Sequence, residues 1–383
     1  MTAVILWILA GLLFLYCILI LQYYGWFKKL QPFITDKKVT PQISFSIIIP
    51  ARDEADNIGK CVLSILKNKY PLHLFEVIVI DDFSSDKTCA VVENIQKQYP
   101  NLRLFHMAEL IPNAANLNSY KKKAIELAIG KSAHNWIITT DADCQVGEEW
   151  LRSFNNYILQ EDKVFVAAPV SFIDTGSFLS KFQYLDFLSL QGITAAAVSA
   201  GVHSMCNGAN LCYQKDAFFH VEGFKGVDHL ASGDDMFLMH KILKKYPKSV
   251  GYLFAQEAIV ETLPMDTVKG FINQRIRWAS KADSYQDKSI IAVLALVYLV
   301  NVFFIVGFIF SLFEWTTFRF WLGLFIVKII VEMFFLTPVA KFYKGQRLMK
   351  YFPIMELPHL VYTVVAGFLG KFGKYQWKGR TVK

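Results

Sequence analysis

Charged residues are scarce in this chain. Asp, Glu, Lys and Arg make up 19% of its 383 residues, against about 25% in soluble proteins. That shortage excludes a disordered chain and argues against a wholly soluble enzyme. Cysteine is sparse too: Cys17, Cys61, Cys89, Cys144, Cys206 and Cys212 show no C-x-x-C spacing and no paired framework. Such usage suits free thiols in a reducing compartment. No G-x-x-x-x-G-K-[ST] loop and no G-x-G-x-x-G turn occurs, so ATPases and dinucleotide-dependent enzymes lack their phosphate cradle here. A basic stripe is missing as well. The 40 Lys and Arg against 32 Asp and Glu leave +8, spread over juxtamembrane and tail positions. Nucleic acid is therefore not an expected partner, whereas anionic headgroups and phosphate-bearing substrates are.

What the chain has in excess is apolar surface, 54% of residues, concentrated at its two ends. Val4 to Leu21 is an uncharged run long enough for one bilayer crossing, followed by Tyr23, Tyr24 and Trp26 and then Lys28 and Lys29. No basic residue precedes the run and no small-x-small cleavage site follows it, which favours an anchor over residues 1–27 rather than a signal peptide. The lysines place the following segment in the cytosol. Ile290 to Phe313 and Phe320 to Val339, joined around Glu314 to Thr317, predict a transmembrane hairpin over residues 289–340. Lys341, Lys344, Arg347 and Lys350 return it to the cytosol. Within the hairpin, Lys328 and Glu332 stand four residues apart and are expected to pair, facing neighbouring helices. In Tyr351 to Gly370, Pro353, Glu356, Pro358 and His359 break the first half. An interfacial or re-entrant segment with a basic tail is therefore expected over residues 351–383.

Between the anchors, residues 40–285 predict a soluble α/β domain. Phe45 to Ile49, Val77 to Ile80, Trp136 to Thr140 and Val164 to Val170 are short β-branched or aromatic runs. They alternate with helical periods over Glu54 to Lys67, Asp86 to Lys97 and Ser119 to Ile129, with Ser85 or Asp86 as the N-cap of the second. Alternation of this kind implies a mainly parallel sheet whose ligands bind beyond the strands' carboxyl ends. Those ends carry Arg52-Asp53-Glu54, Asp81-Asp82 and Asp141-Ala142-Asp143. Three converging acidic clusters call for a cation or hydrogen-bond donors. Carboxylates at D-x-D spacing suit Mg²⁺ or Mn²⁺ on a diphosphate.

With these motifs the chain resembles the membrane-anchored family-2 glycosyltransferases of GT-A (Rossmann-like, nucleotide-sugar-binding) fold. The resemblance is carried by SIIIPARDEADNIGKCVLSIL, VIVIDDFSSDKT, TTDADC, CNGANLCYQKDAF, SGDDMFL and QRIRW, in that order from Ser46 to Trp278. It implies that Pro50, Glu54 and Asp82 line the nucleoside pocket. Asp141 then faces the ribose or diphosphate and also joins Asp143 on the metal, and Lys123 lies beside the donor diphosphate. Asp235 becomes the general base, with Asp234 standing where the family usually has glutamate. Gln274, Arg277 and Trp278 form the QxxRW set on one helical face, for diphosphate and acceptor. Trp377-Lys378-Gly379-Arg380 resembles a tail of lipid-directed bacterial relatives. The implied activity is metal-dependent, inverting hexosyl or N-acetylhexosaminyl transfer. The sugar passes from a nucleotide-diphosphate donor, UDP by preference, to a lipid or lipid-linked acceptor at the cytosolic face of the cell membrane. Two rivals stand beside it: a processive polysaccharide synthase, and a non-catalytic membrane sensor of nucleotide sugars. A transporter is disfavoured by the few intramembrane charges and the lack of a repeat.

Overall fold

A computed structural model of the full chain describes every residue except 1, 112–116, 203–204, 282–286, 374, 378–379 and 383; side chains are described up to residue 373. The strands are β1 Phe45–Ala51, β2 Phe75–Asp81, β3 Leu102–His106, β4 Trp136–Thr139, β5 Cys144–Val146, β6 Phe165–Ala167, β7 Val170–Phe172, β8 Leu211–Gln214, β9 Val250–Tyr252, β10 Val260–Thr262, β11 Tyr375–Trp377 and β12 Arg380–Val382. The helices are α1 Thr2–Lys29, α2 Ile58–Leu66, α3 Thr88–Gln96, α4 Met107–Leu110, α5 Tyr120–Lys131, α6 Trp150–Gln160, α7 Phe178–Ala200, α8 Lys215–His220, α9 Asp234–Lys245, α10 Val268–Ala279, α11 Lys288–Ser311, α12 Trp315–Phe342 and α13 Phe352–Phe372.

Seven strands form the main sheet in the order β3-β2-β1-β4-β8-β6-β9. The first four are parallel, and β8 enters antiparallel to both β4 and β6. Ile47, Ile48, Ile49, Val77, Ile78, Val79 and Ile80 are wholly buried, as strands covered on both faces require. Pro50 is tolerated in the central strand because of register. The Thr140 amide donates to the Ile48 carbonyl, so residues 48 and 50 face β4, whose ladder ends at Thr139. The run expected as one strand over Val164 to Val170 is two. β6 lies in the main sheet, while β7 turns after Pro169 into a small sheet of order β5-β10-β7. The expected start of α3 also moves: its N-cap position is Lys87 rather than Ser85 or Asp86, although Asp86 Oδ1 accepts from the Thr88 amide at 2.9 Å.

Among the described residues, four helices are long and apolar enough to cross a membrane: α1, α11, α12 and the stretch Gln346–Phe372 that contains α13. In α1 the residues Leu6, Leu9, Leu13, Tyr16, Ile20, Tyr23 and Phe27, spaced by three and four, form the buried stripe against α11, α12 and α7. Its other faces present Trp7, Phe14, Leu15 and Ile18 outward, which a helix in water would not do. The expected break in the 351–370 segment does not occur, and α13 continues through Pro358. It runs beside α10, with Ala366 against Ile276, and β11 returns to α10.

Candidate active site

The carboxyl ends of β1, β2 and β4 lie side by side, so their three acidic loops share one edge. At β1 and β2 the backbone is strained: Asp53 and Phe83 have positive φ (48° and 55°) without being glycine. Cross-loop bonds hold this conformation. The Arg52 Nη1 donates to the carbonyls of Asp82 (2.8 Å) and Phe83 (3.1 Å), and the Ser85 amide donates to Asp53 Oδ1 at 2.7 Å. The Ser85 amide bond holds the Asp53 carboxyl below its ordinary value, outweighing partial desolvation. Asp82 is buried, its amide donating to the Ala51 carbonyl. Glu54 is half-buried, its Oε2 accepting from Asn57 Nδ2 at 2.9 Å. Pro50, Glu54 and Asp82 thus meet at one edge, where the resemblance expects a nucleoside.

Past β4, Asp141 and Asp143 leave the strand half-buried, on either side of buried Ala142. The lysine that meets them is Lys121. Its Nζ lies 2.7 Å from Asp141 Oδ1 and 3.3 Å from Asp234 Oδ2, bridging two distant segments. Burial alone would lower its pKa, but Asp141 and Asp234 hold it well above the usual lysine value. Lys123, expected beside the diphosphate, instead pairs with Glu126 one turn on at 3.0 Å, on a partly exposed face. Successive helical residues point about 100° apart, so only one lysine of the run can face the carboxylates. The intervening Lys122 donates to the carbonyls of Val227 (2.6 Å) and Leu230 (2.8 Å).

Asp234 and Asp235 open α9, behind Gly233, whose φ of 85° turns the chain into the helix. Their environments differ. Burial opposes ionisation of Asp234, yet Lys121, Lys281 and Lys122 together depress its pKa. Asp235 Oδ2 accepts from the Gly208 amide at 3.2 Å, and its Oδ1 lies 3.7 Å from Lys281 Nζ. A Cβ at Gly208 would come within 3.0 Å of Asp234 Oδ2 and 3.4 Å of Lys121 Nζ, so this glycine admits the cluster.

The donor set suits a hard cation. Burial first, and then the charges of Asp143 and Asp141, push the Cys61 and Cys144 thiols upward, leaving carboxylate oxygens as the available ligands. Two carboxylates plus phosphate oxygens is an ordinary Mg²⁺ set. Among the described residues a tighter group, Asp81, Cys89 and His106, lies at the β2–β3 side. Burial first, and then Asp81, push the Cys89 thiol up to about 12, and its Sγ lies 3.8 Å from His106 Nδ1.

On α10 the expected Gln274–Arg277–Trp278 face is organised by a residue that was not singled out, Arg275. Its guanidinium sits 4.2 Å from the Trp278 ring and 4.5 Å from the Phe271 ring, donates to Gln274 Oε1 at 2.6 Å, and pairs with Asp186 of α7 at 2.7 Å. Arg277 is half-buried on the adjacent face. The signal was in the sequence: Phe271, Arg275 and Trp278 fall at i, i+4 and i+7, one helical stripe. In the 377–380 tail motif, residues 378 and 379 lie outside the described residues.

Two family models match this chain: "Glycosyl transferase family 2" over residues 46–219 and "Glycosyl transferase family group 2" over residues 136–368. The second covers more than half of it. The chain is a family-2 glycosyltransferase.

Glycosyltransferase AglE of Haloferax volcanii is 26% identical over 191 residues, 50% of this chain and 58% of that protein. Beta-monoglucosyldiacylglycerol synthase of Synechocystis is 26% identical over 126 residues, 33% of this chain and 25% of that one. The match therefore spans less than two thirds of either relative. The mannosyltransferase PcManGT from Pyrobaculum calidifontis, solved with GDP-Man and Mn²⁺, superposes with a TM-score of 0.61 at 16% identity over 96% of this chain and 99% of that one. The glycosyltransferase accordingly has a mixed α/β domain of GT-A type, with four helices apolar enough to span a membrane.

Proposed function

We propose that this glycosyltransferase transfers a sugar with inversion from a nucleotide-diphosphate donor to a lipid acceptor at the cytosolic membrane face. One observation supports the reading: Lys121 ties Asp141 of the sheet edge to Asp234 of α9, and Asp235 is the next residue of that helix. The apolar helices hold this edge at a bilayer, and a relative named for a glycolipid supports a lipid acceptor.

In the reaction Asp235 accepts the proton of the acceptor hydroxyl. The hydroxyl oxygen bonds to the anomeric carbon as that carbon's bond to the diphosphate oxygen breaks, and the nucleotide diphosphate leaves with the electron pair. Asp234 is the poorer base, because pairing with Lys121 depresses its affinity for a proton. Lys121 and Arg277 offer positive charge to the donor diphosphate. Arg275 fixes Trp278 and Gln274 at the acceptor side and is a positioning residue. Asp143, with Asp141, would hold a divalent cation, which when bound neutralises charge on the departing diphosphate.

Substitution Asp235→Asn tests the assignment in purified enzyme with donor and acceptor. Transfer should fall by about 10²- to 10⁴-fold while nucleotide binding, measured by calorimetry, stays within about twofold. Comparable turnover in this variant would remove Asp235 from the role of base.

A further inference from the structure

A cavity of about 200 Å³ lies among α1, α7, α11, α12 and α13. Its walls are apolar, formed by Leu190, Ile193, Val297 and Leu336, and Leu294 opens them to the helix exterior. One side is different in kind, carrying Asp186, Glu332, Glu356 and His359. Glu332 is buried and holds one oxygen idle. Its Oε1 accepts from Tyr16 Oη (2.5 Å) and Lys328 Nζ (2.6 Å), while its Oε2 is buried with no hydrogen-bond partner among the described residues. A buried carboxyl oxygen without a donor is costly to leave unsatisfied, and a ligand O–H or N–H would satisfy it.

The nearby cations are already engaged. Lys328 pairs with both Glu332 and Glu356, and Arg275 is taken by Asp186 and Gln274. His359, also in the cavity wall, lies 3.4 Å from Glu356 and 3.8 Å from Asp186, so each nearby cation faces a carboxylate and the Glu332 acceptor oxygen is what remains open. A phosphate or carboxylate headgroup would meet like charge in a low-dielectric site, whereas a hydroxyl or amide N–H would satisfy Glu332.

We infer that this cavity binds an uncharged lipid bearing two hydrogen-bond-donating groups, one held by Glu332 and the other presented to Asp235. The inference rests on the proposed lipid-directed transfer and names its acceptor class. Glu332 anchors the lipid without taking part in the chemistry, since it belongs to α12, whereas Asp235 opens α9 on the globular domain. Met205 is in the cavity wall, three residues before Gly208, whose amide holds Asp235.

Photolabelling of the full-length enzyme in nanodiscs, with a photoreactive ceramide as probe (two hydroxyls and an amide), tests this. Label should fall on peptides containing Leu190, Ile193 or Leu294. Unlabelled ceramide should compete about tenfold better than a single-hydroxyl fatty alcohol, and better still than undecaprenyl phosphate. Glu332→Gln, which leaves Lys328 its Glu356 partner, should weaken labelling about tenfold. Leu190→Trp, which fills the cavity, should abolish it in protein that elutes like the wild type. Labelling elsewhere, equal competition by the phosphate lipid or the mono-alcohol, or undiminished labelling of Glu332→Gln, would overturn the inference. Calorimetry with a nucleotide sugar on the same wild-type sample separates the two ideas. Donor binding without cavity labelling defeats only the lipid site, and cavity labelling without donor binding defeats the proposed transfer.

Discussion

Three adjacent lysines show how much one residue's position decides. Lys121, Lys122 and Lys123 are chemically identical, yet one bridges Asp141 and Asp234, one holds the Val227–Leu230 turn and one pairs with Glu126 near solvent. Lys121→Met should leave two partly buried carboxylates without their shared cation and lower kcat/KM by about 10- to 100-fold, since hydrogen bonds to charged groups are worth about 1.5–3 kcal/mol. Lys123→Met should change it by no more than about twofold, as exposed ion pairs contribute little. Steady-state kinetics on the two variants side by side decides whether the bridge or the run of charge matters. From sequence the run was visible but its phase was not, because helical phase relative to the carboxylates is set by how α5 docks on the sheet.

At the scale of elements, opposite ends of the same strands do different work. The carboxyl ends carry the strained loops and the site. The amino ends carry a polar knot in which Glu76 of β2 accepts from Ser46 Oγ of β1 (2.6 Å), the Ala133 amide and Arg103 of β3 (2.8 Å). Burial would raise the Glu76 pKa, but the Ala133, Ser46 and Arg103 donors outweigh it and hold it below the ordinary 4.5. A depressed carboxyl stabilises the fold above its unfolded value and loses that contribution as pH falls through the folded value. The Glu76→Gln variant should therefore melt below wild type at pH 7, with the gap closing below about pH 4. Apparent melting temperatures over that range measure it. The D-x-D run, the Asp-Asp pair and the Gln-Arg-Trp set were legible in the sequence because strand and helix periods place them. The pairing of Arg275 with Asp186 and the β6–β7 division were not, since one joins residues 89 apart and the other depends on strand pairing across two sheets.

At the scale of the molecule, the helices place the chemistry. The orientation we propose, with residues 40–285 in the cytosol, puts the α11–α12 turn at Glu314 outside. In intact cells, a Thr316→Cys variant of a cysteine-free background should react with a membrane-impermeant maleimide, and a Ser85→Cys variant only after lysis. The reverse pattern would invert the topology. The Lys328–Glu332 pair expected from four-residue spacing is present, and the structure adds Glu356, which the sequence suggested only as a helix breaker. Once buried beside Lys328 it becomes a counter-charge, and α13 continues unbroken.

Sequence by itself determined the class of architecture, the apolar ends and the acidic strand termini, because hydropathy period and residue type are local properties that survive any arrangement of the chain. Tertiary structure alone decided which lysine reaches the carboxylates, which arginine holds Trp278 and where a carboxylate oxygen is left without a donor. Those are distances between residues remote in the chain, and packing sets them after the local pattern has been spent.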